Sequence, residues 1–116
     1  MIVGIGTDLV VIDRFEEMLK RRPGLAERLL TEGERALSIE SQAARFSAKE
    51  ALAKALGSPG GMSWLDCEVV KSDDGVPSFA TTGTVAARIA ALRIGRIHLS
   101  ISHDGGYATT MVVCEK

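Results

Sequence analysis

Four groups of residues carry side chains whose types and spacing suit chemistry. In Gly4-Ile5-Gly6-Thr7-Asp8 a carboxylate follows two glycines, where missing side chains let a ligand or another backbone approach closely. Position 9 is Leu, so the third glycine of a dinucleotide fingerprint is lacking, and no Walker motif occurs anywhere. The plain alternative is that Asp8 caps an element or pairs with a base. In Arg45-Phe46-Ser47-Ala48-Lys49-Glu50-Ala51-Leu52-Ala53-Lys54, a turn of about 100° per residue sets Glu50 on one face with Phe46 and Lys54. There a carboxylate can hold Mg²⁺ while a lysine meets phosphate, or the two can form an ordinary surface pair. Arg45 projects away from Glu50, and joining a shared site would need a long reach or a neighbouring subunit.

Ser100-Ile101-Ser102-His103-Asp104 has the residue types of a hydrolytic triad, but consecutive residues do not converge as a triad must, and no Gly-x-Ser-x-Gly elbow is present. His103 can instead donate to an anionic ligand, best when protonated, or be satisfied by Asp104. His98, between Ile97 and Leu99, reads as structural or surface. Arg14, Met18, Arg21, Arg22 and Arg28 form a basic group with an apolar centre, suited to an acidic partner helix. Glu16, Glu17 and Glu27 make a solvated mixed face the alternative.

The elements that must position these groups follow from periodicity. Ile2 to Ile12 is rich in β-branched residues and reads as a buried strand. From Asp13, a candidate cap, Phe15, Met18 and Leu19 recur at helical spacing until Pro23-Gly24. Leu25 to Leu30 follows, then Thr31-Glu32-Gly33-Glu34 in capping-box form. Ala43 to Leu56, alanine-rich and free of breakers until Gly57, is the strongest helix signal. Ser58-Pro59-Gly60-Gly61 is loop. Trp64 to Lys71 alternates as a strand with Leu65, Cys67 and Val69 on one side. Asp73-Asp74-Gly75 turns into Val76 to Ala80, and Thr82 or Thr84 caps a helix that runs through Leu92 and ends by Gly95. Arg96 to Ser102, with Ile97, Leu99 and Ile101 inward, turns at Asp104-Gly105-Gly106 into Tyr107 to Val113. The order βαααββαββ implies an α+β class with a mainly antiparallel sheet packed with helices.

The 116 residues fit a single domain over 1–116, long enough to bury a core without staples. A formal charge of −1 removes the bulk attraction on which nucleic-acid binding depends. Only 4% of residues are aromatic, so a monomer gains modest burial per residue and oligomerisation would add more. Cys67 and Cys114 lack metal spacing and read as reduced buried thiols. No apolar run approaches a membrane span and no leader is evident, which points to the cytoplasm.

Taken in order, Gly4 to Val10 running into Ile12-Asp13-Arg14, Leu30-Thr31-Glu32, Arg45 to Ala51 with Lys54-Ala55-Leu56-Gly57, Gly75-Val76-Pro77 and Leu99 to Asp104 closely resemble the short bacterial class of the phosphopantetheinyl transferase superfamily, the holo-[acyl-carrier-protein] synthases. The resemblance covers essentially the whole chain, and its strand-Asp and Lys-Glu-Ala motifs are specific to that superfamily. It implies transfer of the phosphopantetheine arm of coenzyme A to a serine of apo acyl carrier protein in fatty acid biosynthesis, with adenosine 3′,5′-bisphosphate released. It implies Asp8 and Glu50 as Mg²⁺ ligands and Lys54 as catalytic beside them. Arg45, Lys49, Lys54 and His103 become the coenzyme A contacts, and Arg14, Met18, Arg21, Arg22 and Arg28 the carrier-docking group. The resemblance also implies a homotrimer with sites between subunits. The group that takes the serine proton stays open among Glu50, a water on the metal and another carboxylate. The competing classes are a non-enzymatic relative binding a nucleotide or an acidic partner, and a metal-dependent phosphohydrolase, which would want a richer carboxylate or His cluster.

Overall fold

The computed structural model describes residues 1–116. Its elements run β1 (Ile2–Val11), α1 (Ile12–Arg21), α2 (Leu25–Leu29), α3 (Glu32–Arg35), α4 (Ile39–Ala55), β2 (Cys67–Lys71), β3 (Pro77–Thr81), α5 (Gly83–Ala91), β4 (Arg96–Asp104) and β5 (Tyr107–Glu115). The strands form two antiparallel sheets rather than one: a three-stranded sheet in the order β1-β5-β4 and the β2-β3 hairpin. This is the α+β class that the strand and helix periodicities imply.

The long helix α4 lies across one face of the three-stranded sheet. Alternation decides that face, since Ala108, Thr110, Val112 and Cys114 of β5 are buried while Tyr107 and Met111 are exposed. One core joins Ala51, Leu52, Ala55 and Leu56 of α4 to Cys67, Val85, Val112 and Cys114. A second gathers Ile12, Phe15, Leu25, Leu29, Leu30 and Ala43. Phe46 stacks on Phe15 at 5.3 Å between ring centroids and meets Trp64 at 5.6 Å, which ties α1 to α4. Burial pushes the Cys67 thiol up to about 12, so it stays protonated and inert as the sequence reading expects.

Strand β1 sits unusually close to α4. A Cβ on Gly4 would stand 1.9 Å from the Ala55 carbonyl oxygen, and one on Gly6 would stand 1.8 Å from that of Ala51. Only glycine allows this approach, and it sets the two backbones in register where the chemistry-bearing residues begin.

Several local expectations are corrected. Asp13 is in the first turn of α1 and does not cap it; the cap residue is Val11, and Ile12 N–H donates to the Gly106 carbonyl at 2.9 Å. Helix α4 starts at Ile39, capped by Ser38, whose hydroxyl accepts from Ser41 N–H at 3.2 Å. Trp64–Asp66 is a 3-10 turn, not strand, and Leu65 is exposed. Neither Thr82 nor Thr84 caps α5 with its side chain; Asp66 does so from outside, accepting from Thr84 N–H at 2.8 Å, and the hydrogen bonds from Thr84 hold the Asp66 carboxyl below its ordinary value. The turn after α5 is made by Arg93 at φ 57 rather than by Gly95. His98 is on the surface, paired with Glu115.

The close approach predicts a contrast between two glycines. Gly6→Ala should cost at least about 2 kcal/mol in chemical denaturation, because a carbonyl oxygen fixed in α4 cannot move aside. Gly60→Ala, with nothing within 4 Å, should stay within about 0.5 kcal/mol. Equal midpoints for the two variants would show that the packing tolerates a side chain at position 6.

Candidate active site

The glycine contacts carry β1 along α4 so that Asp8 emerges beside the helix one turn nearer its start. Thr110, opposite Asp8 on β5, is buried and donates to the Ser47 carbonyl at 3.0 Å, with the Ser47 hydroxyl also 3.0 Å away. That latch holds the sheet to α4 directly beneath Asp8. Lys54 reaches across to the strand, its Nζ donating to the Thr7 carbonyl at 2.9 Å and to Asp8 Oδ1 at 3.2 Å. Glu50, one turn before Lys54, completes the group. Burial pushes its carboxyl above the ordinary value, the Asp8 charge pushes it further, and Lys54 opposes both. Two carboxylates that repel each other beside one ammonium, half open to solvent, thus meet where β1 crosses α4.

The structure brings Asp8, Glu50 and Lys54 together as the sequence reading expects. His103 lies elsewhere in the same chain. Its partner across β4-β5 is Ala108, which pairs on with Val10. It therefore stands about 10 Å sideways and about 7 Å along the sheet from Asp8, on the same face. There it lines a cavity with Asp13, Glu40 and Asp104. Arg45, unlike the exposed His103, is buried; Nη1 donates to the Ser41 carbonyl at 3.5 Å and Nε has no partner, so its charge meets no carboxylate. Lys49 is a correction to the expected coenzyme A contacts. Its side chain is 1% exposed, and Nζ donates to Glu34 Oε1 at 2.6 Å, the Leu29 carbonyl at 2.8 Å and the Trp64 carbonyl at 3.2 Å. All three ammonium donors are taken, leaving none for a phosphate.

Arg14, Met18 and Arg21 of α1 and Arg22 just past its end line one groove with Asp13 and Glu17, while Arg28 on α2 is not part of it. Two features lay outside the sequence reading. An apolar cavity of about 120 Å³ lies behind α4, lined by Leu52, Ala53, Pro59, Met62, Trp64 and Val85 among others. Glu34 is the other: its capping box was legible, but its pairing with Lys49 had no local signal.

The Glu50 shift fixes a pH dependence. Because the folded chain binds this proton more tightly than the unfolded chain does, stability falls as pH rises from 4.5 through the raised value. Glu50→Gln should therefore raise Tm over the parent at pH 7 in EDTA, with the gain disappearing near pH 4. A gain of equal size at both pH values would remove the shift as its cause.

The 4'-phosphopantetheinyl transferase superfamily model matches residues 4–112. The holo-[acyl-carrier-protein] synthase of Clavibacter michiganensis subsp. michiganensis is 56% identical over 115 residues, covering 99% of this chain and 97% of that protein. Among solved structures, the holo-[acyl-carrier-protein] synthase of Neisseria meningitidis is 31% identical with a TM-score of 0.91, each chain covered fully. That of Helicobacter pylori, in complex with coenzyme A, is 34% identical with a TM-score of 0.83, covering 96% of this chain and 99% of that one. A match that begins at the first close-packed glycine and runs through both sheets leaves one assignment: this chain belongs to the 4'-phosphopantetheinyl transferase superfamily.

Proposed function

We propose that this chain, as one domain over residues 1–116, transfers the phosphopantetheine arm of coenzyme A to a serine hydroxyl of apo acyl carrier protein, serving fatty acid biosynthesis in the cytoplasm. The observation that carries the reading is the meeting of Asp8, Glu50 and Lys54 where β1 crosses α4. The names of the full-length relatives and the coenzyme A in the Helicobacter pylori structure support it.

The donor set fits Mg²⁺. The charge on Asp8 raises the cost of ionising Glu50, a cost that a divalent cation between the two hard carboxylates would relieve, and no third metal-ligating side chain joins them. Mg²⁺ commonly takes one or two protein carboxylates and completes its shell with substrate phosphates and water. Asp8 and Glu50 would hold it, and when bound it supplies charge neutralisation and a template for the pyrophosphate. Lys54 lies within reach of the same carboxylates and would turn to the phosphate. The serine oxygen attacks the phosphorus that carries pantetheine, and the bond from that phosphorus to the bridging oxygen breaks. Adenosine 3′,5′-bisphosphate leaves with the bond's electron pair, and the serine proton passes to a base at the site. Such a transfer asks the protein mainly for in-line positioning and charge stabilisation.

Arg45 and His103 act as further phosphate contacts in this reading. His103 is too far from Asp8 of its own chain, so it would serve the site of a neighbouring copy. An assembly is supported by the sheet face opposite α4, where Ile5 is 54%, Leu9 63% and Met111 46% exposed in one apolar patch with Val3 and Tyr107. We take the assembly to be a homotrimer with sites between subunits. The α1 groove, with Arg14, Met18, Arg21 and Arg22, docks the acidic carrier, and Arg28 extends the basic surface.

Intact-mass spectrometry of an apo acyl carrier protein tests the reaction. With coenzyme A and Mg²⁺ the carrier should gain one phosphopantetheine, EDTA should prevent the gain, and Asp8→Ala should abolish it while far-UV circular dichroism stays unchanged. No gain with a carrier known to accept the arm, from a chain that still binds coenzyme A, would favour a non-catalytic relative. Arg14→Glu should raise KM for carrier protein several-fold while leaving coenzyme A binding alone; equal effects on both would remove α1 as the docking face.

A further inference from the structure

The one buried ion pair of the chain stands immediately beside the site. Lys49 precedes Glu50, and its ammonium meets acceptors from three places: the end of α2 through Leu29, α3 through Glu34, and the 3-10 turn through Trp64. Glu34 is used up as fully. Its Oε1 also accepts from Thr31 N–H at 2.9 Å, and its Oε2 accepts from Val69 N–H of β2 at 2.9 Å. Five separate segments are thus joined through one pair of side chains, both 1% exposed.

On its sheet side α4 is held by the Ser47–Thr110 latch and the close glycines of β1, and Lys49 leaves the helix about 200° around from Ser47 and Ala51. The other buried side chains of α4 are mostly small, Ala43, Ala44, Ala48, Ala51 and Ala55 with Leu52, and alanines present few ridges that interlock. Rotation matters at the site: Glu50 lies about 100° around the helix from Lys49, with its carboxylate about 6 Å from the axis, so a turn of about 20° would move it by about 2 Å. A buried pair adds little net stability over apolar packing of the same shape, whereas its directional bonds specify one arrangement.

We infer that Lys49 and Glu34 are positioning residues for the reaction: their buried pair fixes the rotation of α4 from the side away from the sheet and so aims Glu50 at Asp8, and Lys49 touches no substrate. The inference rests on the proposed metal role of Asp8 and Glu50. Outer partners that orient metal ligands commonly govern affinity for the ion by about 10–100-fold.

The test compares Glu34→Gln/Lys49→Met, which removes both charges and leaves no orphaned ion, with Glu34→Asp, which keeps both charges and shortens the acid. Mn²⁺ binding in the presence of coenzyme A is read from loss of the free-ion EPR signal. Adenosine 3′,5′-bisphosphate binding in EDTA is read by calorimetry, and Tm is recorded for each variant. The double variant should lose some Tm, since the Leu29 and Trp64 carbonyls lose their donor, and should keep its bisphosphate affinity while Mn²⁺ affinity falls about 10–100-fold, with Glu34→Asp falling in the same direction. Mn²⁺ affinity within two-fold of the parent would overturn the positioning role. Weakened bisphosphate binding with unchanged Mn²⁺ affinity would overturn it in favour of a direct phosphate contact by Lys49. Should the double variant unfold, Glu34→Asp decides on the same readings. Glu50→Gln serves as the control: if it keeps the parent's Mn²⁺ affinity, the metal reading itself falls, whatever the pair variants do.

Discussion

Two missing side chains set the distance between β1 and α4, and the site exists because of that distance. With Gly4 and Gly6 against the Ala55 and Ala51 carbonyls, the strand cannot back away from the helix without opening the Cys114-Val112-Leu52 core beneath it. Asp8 follows two residues later on the same face of the strand, already within reach of Lys54 and of the charge on Glu50. Alanine in α4 and glycine in β1 are the same device from two sides. Small residues let two backbones approach, and the functional groups stand on rigid elements rather than on loops.

Helix α4 divides its charges by how fully they are satisfied. On one side Lys49 is sealed into five segments through Glu34, with every donor used. On the next ridge Glu50 and Lys54 remain half open, and the carboxylate sits above its ordinary value because Lys54 only partly offsets its burial and its neighbour Asp8. A satisfied pair gives order and an unsatisfied pair gives affinity. Placing them side by side lets the first hold the second in the strained arrangement that a cation and a phosphate would relieve.

Much of this was legible because it is local. The β1 strand, the α4 helix and both hairpins announce themselves by period and by Asp-Gly turns, and the close spacing of Glu50 and Lys54 follows from the helical pitch. The first turn of α4 was not legible because Ser38 to Gln42 holds a single apolar residue, too few to show a helical period; the Ser38 cap and the packing of Ile39 make it helix. The strand reading of Trp64 to Asp66 failed because alternation in a short apolar run does not distinguish a strand from a tight turn that caps another helix. Lys49 misled for a deeper reason: a lysine beside a glutamate on a helix looks solvated, and its burial depends on Glu34, which a capping box sends inward from a different element. His103 likewise lies apart from Asp8 within one chain, a separation that no spacing in the sequence could reveal, whereas the helical wheel already turns Arg45 away from Glu50.

The most direct measurement is anomalous diffraction from crystals grown with coenzyme A and Mn²⁺. A single strong peak bonded to oxygens of both the Asp8 and Glu50 carboxylates, with Lys54 turned from Asp8 to the pyrophosphate, is the predicted result. A peak bonded to neither carboxylate, with Lys54 still on Asp8, would contradict the claim that the glycine contacts of β1 and α4 exist to bring a metal-binding pair together.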